Sequence, residues 1–467
     1  MSNARRAARN VRLKVIGEVF SRAISVAFNV YLVRQLGTAG YGTYALAYGT
    51  AATLAIGADL GLSSFVARDL GRKQFERVGI AGGIKLIAVG TVAFVTCALA
   101  LTRHGDARSA LVLAAFFLAG QLLLDHALAV FMGLENLAME AWLKSAARAA
   151  TSAAGFLALA LGSGPVGVLA GVGAGSFGAA IAALLFTQRQ LPAARPRFEF
   201  SASPKVLRES LPIALYAMLT AMSVAIDVPL YDWLGANAAS QGLYGATAKL
   251  VELLLLVPAM ASQGIYLVLL DVARTPGGLR GPITKSVRLF FVLTAPLAFG
   301  GATLAWRITS LVYGEHFVAA GDALCVGLAM LPLLALGPLA GVTFLARGEE
   351  WRAAQLRGVA FAVKVGAAAM LVPILGLRGL AASTPIGEFV FLAASAIYLR
   401  HEIDFRGVLF AAARPLAAGA ICLAVVARAA NLPLPIVIAL GAVAYGGAAV
   451  AFGAVSRKDL QHSVATS

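Results

Sequence analysis

A succession of long, continuously apolar runs constrains this chain more than any other feature. An α-helix needs about 20 apolar residues to cross a hydrocarbon core about 30 Å thick. Fourteen segments meet that requirement, near 12–34, 43–66, 79–101, 109–133, 138–161, 166–187, 209–231, 241–270, 287–306, 318–346, 353–374, 379–399, 407–427 and 433–455. A membrane β-barrel would instead show alternating segments of about ten residues. The chain therefore reads as an all-α polytopic membrane protein with about 14 transmembrane helices. Its 467 residues are 60% hydrophobic and 13% charged, against about 45–50% and 25% in soluble domains, which excludes a soluble enzyme, a nucleic-acid-binding module and a disordered tail. Cys97, Cys325 and Cys422 have neither pairing nor metal spacing and read as small buried hydrophobes. The five histidines are dispersed, so no metal site, cofactor or catalytic triad is expected.

Orientation follows from the cations in the connections and the helix ends beside them. One side collects 26 of the 38 Lys and Arg residues, among them Arg68, Arg72, Lys73, Arg77, Lys144, Arg148, Arg274 and Arg357. The other holds six: Arg34, Arg103, Arg108, Arg307, Arg378 and Arg428. By the positive-inside rule the first side is cytoplasmic, with both termini on it. The formal charge of +16 is thereby a topology signal and a means of contact with anionic headgroups. The first helix exceeds a signal-peptide core and carries Lys14, Glu18 and Arg22, so it is expected to be retained. Arg148 belongs to the cytoplasmic set only if helix 5 enters the hydrocarbon later than its apolar run begins.

An internal repeat is written in the turns. LGTAGYGTYALAY (Leu36, Gly37, Gly42, Tyr44) matches LGANAASQGLYGATAK (Leu234, Gly235, Gly242, Tyr244). LGSGPVGVLAG (Leu161, Gly162) matches LGLRGLAAS (Leu375, Gly376). Helices 1–6 look duplicated in helices 7–12; six being even, the copies enter from one side and form a parallel repeat about an axis along the membrane normal. The expected organisation is an N-terminal six-helix lobe (1–190), a basic cytoplasmic linker (191–208), a C-terminal six-helix lobe (209–402), and an additional transmembrane hairpin with a cytoplasmic tail (403–467).

Six cations remain inside the apolar runs: Lys14, Arg22, Lys85, Lys249, Lys364 and Arg414. Each costs about 2.5–3.5 kcal/mol at a helix centre on the insertion scale, which marks the deeper ones as functional candidates. Lys14 and Arg414 are shallow enough to snorkel. Lys14, Glu18, Arg22, Ser25 and Asn29 share one helical face, either paired within the helix or lining a cavity wall. The intramembrane carboxylates are Asp59, Asp125, Asp227, Glu252 and Glu388. Lys249 and Glu252, three apart, can neutralise each other. Asp227 stands two residues before Pro229, whose ring frees a carbonyl one turn back, so an irregular backbone is expected there.

The fourteen spans, the repeat, and the stretches LVRQLGTAGYGTYALAY, ADLGLSSFVAR, SLPIALYAMLTAMSVAIDVPLYDWLG and VYGEHFVAAGDAL resemble the polysaccharide transporter family, the O-antigen and exopolysaccharide flippases of the multidrug/oligosaccharidyl-lipid/polysaccharide (MOP) superfamily. The resemblance implies two lobes that alternate access, in the bacterial inner membrane. Its implied cargo is an undecaprenyl-diphosphate-linked glycan moved from the inner to the outer leaflet, with membrane lipid around the chain and a glycan polymerase or other assembly protein as a further partner. Arg22, Lys85, Lys249 and Lys364 are the candidates for binding the phosphate-sugar head group, and Asp227, Asp59 and Glu252 for proton or sodium coupling. Lipid II flippases and drug/cation antiporters share this architecture and are the alternatives within the superfamily. A membrane glycan polymerase or ligase would need a large outer loop, and the connections are short.

Overall fold

The computed structural model describes residues 3–71, 73–199, 203–275 and 277–454. The side chains of residues 3–20, which include Lys14 and Glu18, lie outside the described residues, as does Arg72.

Every element is helical among the described residues. In order they are α1 (Asn3–Asp59), α2 (Leu62–Gly71), α3 (Glu76–Ala100), α4 (Gly105–Gly133), α5 (Leu137–Ala160) and α6 (Pro165–Gln190). After a single 3-10 turn (Pro192–Ala194) come α7 (Ser203–Ala225), α8 (Asp227–Trp233), α9 (Ala238–Val272), α10 (Arg280–Pro296), α11 (Ala305–Tyr313), α12 (Gly321–Ala329) and α13 (Leu331–Ala346). The chain continues through α14 (Glu350–Leu375), α15 (Leu377–Tyr398), α16 (Phe405–Arg428) and α17 (Leu434–Ala451).

Among the described residues ten helices are long and apolar enough to span a membrane, or up to 12 if each of two bent pairs counts as one span. The expected fourteen is therefore not established by length and apolarity. The difference has physical sources. The segments near 12–34 and 43–66 meet within one element, α1, broken at Gly37 (φ 65°, ψ −177°), and the second runs on into α2. Two further segments are bent, by 54° between Ala214–Ala225 and Asp227–Trp233 and by 52° between Glu315–Ala329 and Leu331–Ala346. The first bend falls where Pro229 supplies no N–H to the carbonyl of Ala225, and the second where Pro332 opens α13.

The Leu-Gly turns that defined the repeat share one conformation. Gly37, Gly162, Gly235 and Gly376 have φ of 65°, 75°, 90° and 55°. A Cβ disfavours this left-handed region, so glycine there lets each helix stop and the next begin within a residue or two.

The chain forms two compact units, Met1–Gly242 and Leu243–Ser467. In lipid, apolar side chains gain nothing by leaving one another's company for acyl tails, so helices associate through close packing of small residues. In the first unit Gly171 and Gly175 of α6, four residues apart, press on Ala154 and Thr151 of α5 with no room for a Cβ. On α6's other side Ser176 donates to the Phe117 carbonyl of α4 at 3.1 Å and accepts from Gln121 at 3.0 Å. α7 and α8 pack on α1, with Pro229 against Gly49. The basic linker is docked as well: the Arg197 amide donates to the Gly79 carbonyl at 2.8 Å and Ala194 is buried. The linker backbone occupies a notch at Gly83 of α3 that a side chain would fill.

In the second unit Leu269, Leu279, Ile283, Phe290 and Leu339 form a core where α9, α10 and α13 meet. The hairpin α16–α17 packs on α10 through Cys422, Val426, Val437 and Tyr445, whose hydroxyl donates to the Val292 carbonyl at 2.8 Å. A Cβ on Gly419 would strike Phe299 in the π-helical segment Leu297–Gly301.

Candidate functional site

Within the first unit, charged residues gather about 10 to 17 Å in from one end of α3, α4 and α5, counting 1.5 Å per residue. Lys85 of α3 is 1% exposed and is ion-paired with Asp59 at the end of α1. Asp59 also accepts from the Ser63 hydroxyl at 2.7 Å and is 36% exposed, so the pair has one buried and one open member. Asp125 of α4 is exposed, and Lys85, Asp59, Lys144 and Arg148 stand near enough to act on its charge. Lys144 and Arg148, one turn apart on α5, fall on one face. Both belong to the basic cytoplasmic set by the sequence pattern, yet they lie seven and eleven residues inside α5.

Beside this group His126 is buried, and neither ring nitrogen has a hydrogen-bond partner among the described residues. It sits beneath Gly82 and the linker residue Pro196. Further along α1, Arg22 is half-buried, Ser25 donates to the Ser21 carbonyl, and Asn29 donates to the Tyr41 hydroxyl at 3.2 Å across the Gly37 break. Tyr41, Tyr44 and Tyr48 stack with centroid separations of 5.9 and 6.3 Å, and Tyr48 continues to Phe117 at 5.9 Å. The spacing of three and four residues along one helix face shows this ladder in the sequence, although composition alone suggests few stacking rings. Asp227 opens α8 at the 54° bend and is buried.

The opposite ends of α3 and α8 are tied by Arg103 and Asp232 at 2.6 Å, with Gln241 donating to Asp232 at 3.0 Å and to the Ala236 carbonyl at 2.8 Å. Next to them Gly42 and Gly242, which the two similar turn sequences align, face each other so closely that a Cβ on Gly42 would overlap the Ala238 carbonyl. At the other end, Asp69, 1% exposed, is held by Arg77 at 3.3 Å and Arg68 at 3.5 Å, and both guanidinium groups lie over the Phe65 ring.

Within the second unit, Lys249 and Glu252 are exposed and paired with each other at 2.8 Å, the neutralisation their spacing allows. Lys364 of α14 is 2% exposed and packs against Gly387 of α15. About two helical turns away on α14, Arg357 forms a two-pronged pair with Glu388 at 2.6 and 3.3 Å, with the guanidinium 3.7 Å from the Phe391 centroid. Gly337 of α13 makes room for the Glu388 carboxylate. The sequence marks Glu388 as an intramembrane carboxylate but does not join it to Arg357. Of the candidate residues, Arg22, Asp59, Lys85 and Asp227 thus belong to the first unit, and Lys249, Glu252 and Lys364 to the second. No group of three or more His, Cys, Asp or Glu residues suited to a metal ion occurs among the described residues.

The pattern of a family described as polysaccharide biosynthesis protein matches residues 7–266, more than half of the chain. The chain belongs to the polysaccharide biosynthesis protein family. No curated protein matches. Among solved structures, this family member is similar to the lipid II flippase MurJ in an inward closed conformation, with a TM-score of 0.77 and 13% identity over 96% of this chain and 99% of that one. An inward-facing multidrug resistance MATE transporter of the MOP superfamily aligns with a TM-score of 0.65 and 17% identity over 81% and 94%. A MOP superfamily transporter from Pyrococcus furiosus, titled for the reverse polarity of its binding pocket, aligns with a TM-score of 0.57 and 17% identity over 87% and 95%. The fold of this polysaccharide biosynthesis family member is thus all-helical and like that of MurJ and the MATE transporters.

Proposed function

We propose that this chain is a flippase of the bacterial inner membrane, with both termini cytoplasmic. It carries undecaprenyl-diphosphate-linked oligosaccharide repeat units, of O-antigen or exopolysaccharide, from the inner to the outer leaflet. Its six-helix lobes, 1–190 and 209–402, alternate access to a shared lumen. The observation that supports this reading most is the charged group well inside the helices of a member of the polysaccharide biosynthesis family: Lys85 paired with Asp59, beside Asp125, Lys144 and Arg148.

The pairing suits an exchange mechanism. A diphosphate is a stronger partner for Lys85 than one carboxylate, because charge-assisted hydrogen bonds multiply on its oxygens. Arrival of the head group displaces Asp59, which then takes a proton or a sodium ion; departure of the head group reverses both events. Arg22, Lys249 and Lys364 complete the head-group contacts from their own helices, and Glu252 and Asp227 serve coupling in the same way. A coupling ion drives transport only if its affinity differs between the two access states, and Asp227 at a helix bend is placed to register that difference. The polyprenyl tail stays in the bilayer. A polymerase or another assembly protein receives the product outside.

A lipid II flippase is the second reading, favoured by the likeness to MurJ. A cationic drug is a poorer fit, since Arg22, Lys85 and Lys364 repel it. The deciding experiment reconstitutes the full chain in liposomes and follows leaflet exposure of defined carrier-linked saccharides. The expected result is translocation of a carrier-linked repeat unit; transport of lipid II or of a cationic dye with no movement of repeat units would overturn the reading.

A further inference from the structure

We infer that the second unit carries a saccharide-binding depression built around Trp306, at the end that the charge asymmetry assigns to the outer face. The inference rests on the flippase reading for the source of its ligand. The depression, of about 540 Å³, is lined by Trp306, Arg307, Ser310, Leu311, Glu315 and neighbouring apolar groups. It is assembled from α11, the 3-10 segment Glu315–Ala320 and the first residue of α17.

The stretch VYGEHFVAAGDAL supplies Glu315 and Val318 of this lining, and packing accounts for only part of that stretch. Tyr313 and Phe317 are buried against each other at 5.7 Å, and the Tyr313 hydroxyl donates to the Ala246 carbonyl. Gly314, with φ 96°, makes the turn between them. Glu315 is exposed, and Trp306, 37% exposed, rests on Gly321 outside that core. They are nevertheless fixed. Trp306 Nε1 donates to Asp322 at 3.0 Å, and Arg378 donates to the same carboxylate at 3.0 Å. Ser310 donates to Glu315 at 2.6 Å. Arg307 donates to the carbonyls of Ala430 and Leu432 at 2.7 and 2.8 Å.

A tryptophan at the membrane interface alone is an anchor. Here the indole has its N–H engaged and its ring held at the side of an open hollow, with a carboxylate, a hydroxyl and a guanidinium immobilised around it. That is the chemistry a pyranose requires. Its C–H face covers an aromatic ring, and its hydroxyls reach a carboxylate oxygen and the remaining guanidinium N–H groups. Because these side chains are already ordered, binding costs little rotamer entropy. The ligand class is therefore an oligosaccharide free of lipid and phosphate requirements, such as the glycan portion of the exported unit, held at the exit before it is passed on.

The test uses the full chain in detergent, with the probe being the repeat-unit oligosaccharide released from the host's lipid-linked pool and freed of its diphosphate. In a variant keeping Trp306 while Trp142, Trp233 and Trp351 are replaced by phenylalanine, titration is expected to give a saturable change in fluorescence. By calorimetry, Trp306→Ala is expected to weaken binding about tenfold, a difference of about 1.4 kcal/mol. Trp306→Phe keeps most of the affinity, and Glu315→Gln lowers it with the fold intact by size-exclusion profile. Unchanged affinity in both Trp306→Ala and Glu315→Gln, or a fluorescence response only to anionic lipid vesicles, overturns the inference. Loss of saccharide binding with liposome translocation preserved would leave the flippase reading standing; absence of translocation in the unaltered chain would remove that reading, whatever the titration shows.

Discussion

Arg103 and Asp232, 129 residues apart in sequence, are joined by a 2.6 Å ion pair that fastens the end of α3 to the end of α8. Arg103 is 45% exposed, so water and salt screen the attraction. A double-mutant cycle with Arg103→Gln and Asp232→Asn, read by thermal unfolding of the purified chain, is expected to give a coupling of about 0.5–1 kcal/mol that declines with ionic strength. Asp232→Ala should cost more than Asp232→Asn, because Gln241 also loses its acceptor. A salt-insensitive coupling would refute this account.

The Arg357–Glu388 pair should behave differently. It is buried among α13, α14 and α15, and removing one member strands a charge. Glu388→Gln is expected to destabilise the chain by about 3–5 kcal/mol, whereas Arg357→Met combined with Glu388→Leu recovers most of that loss. Guanidine or thermal unfolding of the three variants measures the difference. Equal stability of the single and double variants would contradict it.

Gly42 tests the closeness of the α1 and α9 segments. Gly42→Ala places a methyl group on the Ala238 carbonyl and is expected to cost about 1–3 kcal/mol through forced backbone movement. Gly57→Ala is the control: nothing lies within 4 Å of its added Cβ, and it should stabilise α1 by about 0.5–1 kcal/mol through helix propensity. A neutral Gly42→Ala would show that these segments are farther apart.

For transport, Arg22→Ala and Lys364→Ala are expected to abolish translocation in liposomes while leaving membrane insertion intact, and Arg22→Lys to restore part of it. Asp59→Asn should bind the anionic head group at least as well and turn over more slowly, because Lys85 loses the partner that takes its place when cargo leaves. Normal transport by the alanine variants would defeat the head-group assignment.

How much of this was legible in the sequence depended on range. The all-helical membrane fold and the four Leu-Gly turns were visible because apolar length and glycine position are local signals; Gly37, Gly162, Gly235 and Gly376 all adopt positive φ. The Lys249–Glu252 pair was equally local. Lys85 with Asp59, and Arg357 with Glu388, bring together residues 26 and 31 positions apart on different helices, and periodicity carries no such information. Lys144 and Arg148 lie seven and eleven residues inside α5, although the charge pattern groups them with the cytoplasmic connections and helix ends, because an apolar run marks a helix's ends only to within about a turn. The count of spans suffered for a related reason: apolarity records that a segment prefers lipid, but not whether it bends on the way.

The placement of α7 and α8 has a practical consequence for dissecting the molecule. The repeat expected from the turn sequences would divide the chain at the linker, but these two helices rest on α1, α2 and α3, and the linker itself is seated on α3. Scission between residues 191 and 208 would give two fragments with freshly bared faces, Gly49 on one and Pro229 on the other, each with reason to stick to its missing counterpart. Co-expressed halves cut there should reassemble, and either half made alone should be handled as an unfinished surface.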